Sequence, residues 1–267
     1  MDIAAIDTSD IQRVLNPIWT EKPETARRVR NRIERIIDFA TTKGWRKGDN
    51  PARWKNHLEN ILITVDNTKH YAALPYKQLP AFFSKLHIAY TTSAIALEFT
   101  ILTAARTGDT IGATWDEIDF EAKTWTIPGA RLKGKKNSNR QPHIVPLNAR
   151  ALEILNKQNE YRVSDFIFPG NKPRNGLSNM AMAKCLKGLV EEHATVHGFR
   201  SSFRDWAGDE TSFPREVAEA ALAHRVGNSV ELAYRRGQAL EKRRDLMRLW
   251  CDYCTGSISD TVVQLHG

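Results

Sequence analysis

One segment limits the possible folds of this 267-residue chain more than any other: residues Ile95 to Ala104, IALEFTILTA, are apolar on nearly every side of a helix. A helix without a polar face is stable only when other elements cover it all round, so this segment predicts the core of a helical domain. It is much shorter than the ~20 apolar residues that cross a bilayer. The sequence therefore predicts a buried helix and no membrane span.

Helical periodicity continues through most of the chain. From Pro23 to Lys43, apolar residues recur every three or four positions, and the segment is followed by Gly44, a residue that commonly ends helices. Other segments show the same period behind capping residues. Helices are predicted at 23–43, after Asn50-Pro51, at 82–90, at 95–104, at 148–161, at 178–190 and beyond Gly198.

Three short segments depart from the helical pattern. Ile118 to Phe120 and Trp125 to Ile127 flank the turn Glu121-Ala122-Lys123, which is typical of a hairpin. His143 to Leu147 predicts a third strand after a loop. The predicted fold class is mainly α with a small antiparallel β-sheet, that is, α+β.

The segment from Lys69 to Pro80 contains HYAALPYKQLP, with two prolines and no sustained period. These features are typical of a linker. We therefore expect a smaller helical domain at 1–70, a linker at 71–80 and a larger domain at 81–267.

The charge balance points to an anionic partner. The chain has 39 Lys and Arg against 31 Asp and Glu, a net charge of +8 and a pI near 9.4. Such an excess makes nucleic acid the first partner to test. Two basic sets are candidate DNA contacts, although each is also typical of a solvated surface: Arg27, Arg28, Arg30 and Arg32 on the 23–43 helix, and Arg131, Lys135, Lys136 and Arg140 in the loop RLKGKKNSNRQ.

The sequence lacks the motifs that are typical of several classes of protein, among them exported proteins, metal-binding proteins and nucleotide hydrolases. The acidic start, MDIAAIDTSD, is unlike a secretory signal, and three cysteines fit a reducing compartment. Cys251 and Cys254 lie at metal spacing but lack further ligands, so no metal site is predicted. No Walker A, G-x-G-x-x-G, H-E-x-x-H or G-x-S-x-G motif occurs.

Four short motifs gain meaning from their order. They are TAARTGD around Arg106, HGFR from His197 to Arg200, LAH at His224 and AYRR at Tyr234. Each alone is weak: an H-x-x-R places two phosphate-gripping groups on one helical face, but such matches arise by chance.

Taken together with the lysine-rich hairpin loop, this order of Arg, Lys, His-x-x-Arg, His and Tyr resembles the tyrosine recombinase (phage integrase) family. The surrounding text LTAARTGDTIGATWDEID, IVPL and ALAHRVGNSVELAYRR fits as well, most closely to prophage and genomic-island integrases. The resemblance runs from about Ile11 to Asp252. It makes 81–267 a catalytic domain and 1–70 part of a core-binding domain.

The resemblance implies a site-specific DNA recombinase with no metal or cofactor. Tyr234 would attack a backbone phosphate and form a 3′-phosphotyrosine, which stores the bond energy without ATP. Arg106 and Arg200 would clamp the non-bridging oxygens in place of metal ions.

The remaining catalytic positions concern protons. His197 is the candidate base, His224 would hydrogen-bond the scissile phosphate, and Lys133 is the best match for the acid that protonates the leaving 5′-oxygen. Lys135 and Lys136 are rivals for that last role, because such loops vary in length.

Two departures from the family pattern stand out. Many members have Arg-x-Gly-Glu where this chain has Arg106-Thr107-Gly108-Asp109, which keeps the carboxylate. By comparison with full-length members, the resemblance also implies that an arm-binding domain and part of the core-binding domain are missing before Met1. The alternatives are a non-catalytic DNA-binding remnant and a type IB topoisomerase-like enzyme, which uses similar residues.

The family also implies partners. We expect double-stranded DNA attachment sites, a homotetramer on DNA, and a location on DNA in the bacterial cytoplasm. Integration host factor and an excisionase are candidate accessory proteins.

Overall fold

A computed structural model describes residues 2–65, 72–132, 141–171, 174–191, 193–224 and 236–257 of the chain. Two compact units are present, unit 1 at 1–70 and unit 2 at 71–267. Among these residues no helix combines the length and the apolar character needed to cross a membrane.

Unit 1 is built on two helices, α1 (Thr8–Trp19) and α2 (Pro23–Thr42). Asp7 caps α1 by accepting from the backbone of Ser9 and Asp10, and the Asp10 carboxylate accepts from the Asp7 N–H in return. This capping box explains why α1 forms, although the sequence analysis did not predict it. The core is apolar and comes from both helices and the segment after them: Ile11, Leu15, Trp19, Ala26, Ile37, Ala52, Leu58 and Leu62.

The helix expected after Asn50-Pro51 is not formed. Residues 51–57 are mostly turns, followed by a short 3₁₀ helix, Leu58–Asn60. The Asn50 side chain donates to the Glu34 carbonyl at 2.8 Å and to Asp38 at 2.7 Å, so it ties the segment to α2. These side-chain bonds to α2 compete with local helix formation.

Unit 2 surrounds α4 with other helices. Its described helices are α3 (Leu79–Ile88), α4 (Thr92–Leu102), α5 (Thr107–Ile111), α6 (Ala149–Glu160), α7 (Ala181–Leu189), α8 (Phe199–Glu210), α9 (Arg215–Ala221) and α10 (Arg236–Thr255). Residues 96–102 of α4 are all buried, which confirms the prediction of a core helix. The carboxylate of its one charged residue, Glu98, is paired with Arg150 at 2.7 Å.

The small sheet is antiparallel, with order β1-β2-β3. Its strands are β1 (Ile118–Asp119), β2 (Thr124–Ile127) and β3 (His143–Pro146). The register pairs Ile118 with Trp125, and Ile127 with His143. The α+β prediction is confirmed.

The stretch expected to be a linker, 71–80, contributes to the core of unit 2. Leu74 and Leu79 are buried, and Tyr76–Gln78 forms a 3₁₀ turn ahead of α3. The two prolines in this stretch mark the entry into helical structure, because proline is well tolerated in a first turn.

Candidate active site

Arg106 stands at the N-cap of α5, directly after the turn that ends α4. Its Nη2 atom donates to the carbonyls of Leu222 and Ala223, both at 3.3 Å, and Nη1 lies 3.8 Å from Asp109 Oδ2. The side chain is 20% exposed. One edge of the guanidinium is thus tied to the end of α9, although the group still reaches solvent.

Arg200 lies in the first turn of α8 and is buried, with 6% exposure. It donates to the Ala104 carbonyl and to the Leu222 carbonyl, both at 2.5 Å, and its Nη2 atom lies 3.1 Å from His224 Nε2. Arg106 and Arg200 therefore meet at the same carbonyl oxygen, that of Leu222.

Two alanines provide carbonyls for these arginines. Ala104 ends α4 with φ 49°, and Ala223 follows α9 with φ 50°. A left-handed alanine costs on the order of 1–2 kcal/mol. Because the carbonyl of each residue accepts from a site guanidinium, the arginines help to hold both turns.

His224 completes the cluster. Its Nδ1 atom lies 2.6 Å from the carboxylate of Glu219, which is buried in α9, and its Nε2 atom faces Arg200. The histidine side chain is 43% exposed. Glu219 is a site residue that the sequence analysis missed, although its place five residues before a histidine at a helix end was visible.

Burial, together with the charges of the cluster, shifts the pKa values of its members. Burial lowers the pKa of Arg200 to about 10, with a further contribution from Arg106, while Asp109 and Glu219 oppose the shift. Burial also raises the pKa of Asp109, against the attraction of Arg106 and Arg131. The site is therefore a partly desolvated cationic cluster, which is suited to holding an oxyanion through forked donors.

His143, at the start of β3, is a second residue that the sequence analysis missed. Burial and the charge of Arg243 lower its pKa to about 4, with smaller effects from Arg106 and Arg200 and an opposing hydrogen bond to the backbone of Ala221. It is neutral at pH 7 beside the arginine cluster. Its signal in the sequence was its position at the start of a strand that follows the lysine loop.

Arg131 does not lie free at a basic loop tip. It donates to the Asp109 carbonyl at 3.1 Å and pairs at 3.1 Å with the Glu117 carboxylate, which also accepts from Trp125 Nε1 at 2.9 Å. Its guanidinium also packs against Gly112, where an added Cβ would lie 3.1 Å from Nη1. The residue joins the base of the loop to α5.

His197 sits on the 3₁₀ turn Val196–Gly198, three residues before Arg200, and is exposed. Thr195 fixes this turn by accepting from the Gly198 N–H at 3.0 Å and donating to the Ala72 carbonyl at 3.1 Å. Lys133, Tyr234 and the DNA-contact candidates Lys135, Lys136 and Arg140 lie outside the described residues. The structure thus brings together Arg106, Arg200 and His224.

The four arginines of α2 that are candidate DNA contacts fall into two groups. Arg28 and Arg32 are exposed, and Arg28 pairs with Glu24 at 2.8 Å across a solvated surface. Arg30 is only 11% exposed and bonds Glu34 at 3.0 Å and the Ala52 carbonyl at 2.9 Å; Arg27 donates to the Val65 carbonyl at 2.5 Å.

Family models match both units of the chain. The model of the phage integrase family matches residues 73–240, and that of the phage integrase central domain matches residues 1–57. Prophage integrase IntA of Escherichia coli (strain K12) is 30% identical, over 100% of this chain and 63% of its own length. The integrase of Enterobacteria phage P4 is 29% identical, over 94% of this chain and 60% of its own length.

Solved structures share the fold. A lambda integrase(75-356) dimer bound to a COC′ core site has a TM-score of 0.57 at 19% identity, covering 84% of this chain and 81% of that one. A lambda integrase tetramer bound to a Holliday junction has a TM-score of 0.60 at 16% identity, covering 85% and 64%.

Proposed function

The chain belongs to the phage integrase family, and from that premise we propose that it is a site-specific DNA recombinase, which integrates or excises a mobile element. The observation that carries the proposal is the convergence of Arg106 and Arg200 on the Leu222 carbonyl, with His224 beside them. Two guanidiniums at one point provide the forked donors that a phosphodiester requires when it becomes a five-coordinate phosphorane.

The reaction is a balanced exchange of one phosphate ester for another. The Tyr234 oxygen forms a bond to phosphorus, and the bond from phosphorus to the 5′-oxygen breaks. A free phenol has a pKa of about 10, so His197 accepts its proton as it attacks. Lys133 gives a proton to the leaving 5′-oxygen, and a new 5′-hydroxyl reverses the steps to reseal the strand.

Arg106 and Arg200 act by charge rather than by proton transfer. When DNA binds, the two non-bridging phosphate oxygens accept hydrogen bonds from the N–H groups that now donate to backbone carbonyls. The arginines thus exchange neutral acceptors for charged ones. We expect His224, which lies beside Arg200, to contact the same phosphate. Since the guanidiniums supply positive charge, we expect the chemical step to need neither a divalent ion nor another cofactor.

DNA contacts come from the exposed basic residues. We propose Arg28 and Arg32 of α2 as backbone contacts, together with Lys135, Lys136 and Arg140 of the loop. Arg27, Arg30 and Arg131 donate hydrogen bonds or form ion pairs within their own units. We therefore propose that they support DNA binding indirectly.

The partners follow from the relatives. Because a lambda integrase tetramer has been solved on a Holliday junction, we propose a homotetramer on two double-stranded attachment sites, acting on DNA in the bacterial cytoplasm. Integration host factor and an excisionase are proposed as accessory proteins.

A nicked suicide substrate carrying the attachment site tests the proposal. The wild-type chain is expected to form a covalent adduct in EDTA, visible on a denaturing gel, while Tyr234→Phe binds the same DNA and forms none. Binding without an adduct would instead identify a non-catalytic remnant. Relaxation of a plasmid that lacks the site would indicate a topoisomerase.

A further inference from the structure

Glu219 is a buried carboxylate that no step of the proposed reaction uses. It lies in α9, is 8% exposed, and its Oε2 atom is 2.6 Å from Nδ1 of His224. Its second oxygen lies 3.8 Å from Arg215, whose side chain is 82% exposed. The buried, short contact is therefore the one to the histidine.

The two contacts of the His224 ring allow one arrangement of its proton. A carboxylate only accepts hydrogen bonds, and a guanidinium only donates them. Nδ1 must therefore carry the proton given to Glu219, and Nε2 must offer the lone pair that accepts from Arg200 at 3.1 Å. The partner of one ring nitrogen thus determines the state of the other.

This arrangement links α9 to the arginine cluster. A rotated His224 ring would lose its contact with Arg200, the guanidinium that shares the Leu222 carbonyl with Arg106. A histidine that is 43% exposed has few packing contacts to hold its ring. The bond to Glu219 supplies that restraint.

We propose that Glu219 is a positioning residue that holds His224 in the Nδ1–H tautomer with Nε2 directed at the phosphate-binding arginines. This proposal rests on the proposed recombinase function for its effect on cleavage, but the tautomer itself does not depend on that function. Glu219 acts by direct contact on His224, its charge also favours the protonated form of Arg200, and the carboxylate does not touch the DNA.

Nitrogen NMR of the full chain labelled with ¹⁵N-histidine tests the tautomer without DNA, with the His224 signals assigned by their loss in His224→Ala. We expect a protonated Nδ1 and an unprotonated Nε2 in the wild type and in Glu219→Gln, whose amide oxygen still accepts. In Glu219→Ala we expect the Nε2–H tautomer to become populated. A wild-type ring protonated on Nε2 alone would overturn the proposal.

Cleavage of the suicide substrate tests the consequence. Glu219→Ala is expected to slow adduct formation at least about tenfold, because small displacements of groups at the reacting phosphate are costly, and Glu219→Gln to recover most of the rate. In a His224→Ala background, Glu219→Ala should add less than about twofold. An equal loss in both backgrounds, or a Gln variant no better than Ala, would refute the assignment.

Arg215→Ala is the matched control, because it removes the exposed partner of the same carboxylate. An exposed ion pair contributes little, so we expect less than about a twofold change in rate and an unchanged tautomer. If the wild type forms no adduct, the proposed function fails, and the NMR result alone decides whether Glu219 orients His224.

Discussion

The turn that presents His197 and Arg200 depends on the absence of a side chain at Gly198. A Cβ added there would overlap the Ala72 carbonyl oxygen and would lie 2.8 Å from the Ala73 Cα and 2.9 Å from the Ala72 carbonyl carbon. All three atoms are backbone, and Thr195 bonds the same Ala72 carbonyl, so the strain cannot be relieved by turning a side chain. Gly198→Ala must therefore move the backbone.

We expect Gly198→Ala to lower the free energy of unfolding by about 1–3 kcal/mol, the usual cost of overpacking. For a domain of this size, each kcal/mol corresponds to about 2–4 °C in Tm. Calorimetry of the full chain measures the shift. At a temperature where the variant is still folded, adduct formation should fall by about tenfold or more, because small displacements of catalytic groups are costly.

Gly208→Ala provides the matched control in α8, the helix that begins directly after Gly198. Nothing lies within 4 Å of a Cβ at Gly208, and alanine has the higher helix propensity, so we expect a gain of up to about 1 kcal/mol. A lower free energy of unfolding for Gly198→Ala and a higher one for Gly208→Ala would support the close approach of the 72–73 backbone to Gly198. A Gly198→Ala variant as stable and as active as the wild type would refute it.

Three further predictions concern charge and protons. Arg28→Gln should weaken DNA binding and reduce the slope of log affinity against log salt by about one, whereas Arg30→Gln should lower Tm and leave that slope unchanged; equal slopes for both variants would contradict the division of α2. Because the pKa of His143 is about 4 in the folded protein and the ordinary value for histidine is 6.5, the unfolded chain binds more protons between these pH values. Stability should therefore be fully present above about pH 6.5 and fall as the pH drops toward 4, by at most about 3 kcal/mol, and His143→Gln should remove that part of the pH dependence in urea unfolding. Finally, a 5′-bridging sulfur, a better leaving atom, should restore much of the cleavage lost in Lys133→Ala but little of that lost in Arg200→Ala; rescue of both would assign the acid elsewhere.

Much of the fold could be predicted from the sequence, because the spacing of apolar residues indicates which faces of an element are buried. The segment from Ile95 to Ala104 predicted the core helix α4, and the two short segments flanking the turn at Glu121-Ala122-Lys123 predicted the hairpin. The helix α1 was missed although its capping box was visible at Asp7 and Asp10. The prediction of a helix after Asn50 was wrong, because the Asn50 side chain bonds to α2. No local sequence pattern reveals such a contact.

Helical phase would have separated the arginines of α2. Arg30 follows the buried Ala26 by four residues and precedes the buried Ile37 by seven, so it lies on the apolar stripe of the helix. Arg28 lies off that stripe and is exposed. A count of positive charges does not distinguish Arg28 from Arg30. Their positions around the helix place Arg30 in the interior of unit 1 and Arg28 on its surface.

No comparable rule was available for Arg131, whose partners are set by tertiary structure. Its backbone acceptor, Asp109, lies 22 residues away, and its carboxylate partner, Glu117, belongs to the 3₁₀ turn before β1. Glu117 also accepts from the buried Trp125, so the ion pair is anchored in the core of unit 2. Because α5 begins one residue after Arg106, this anchor fixes the base of the lysine-rich loop to the element that carries the first arginine of the site. A residue in a basic loop can therefore connect that loop to the active site through contacts within its own unit.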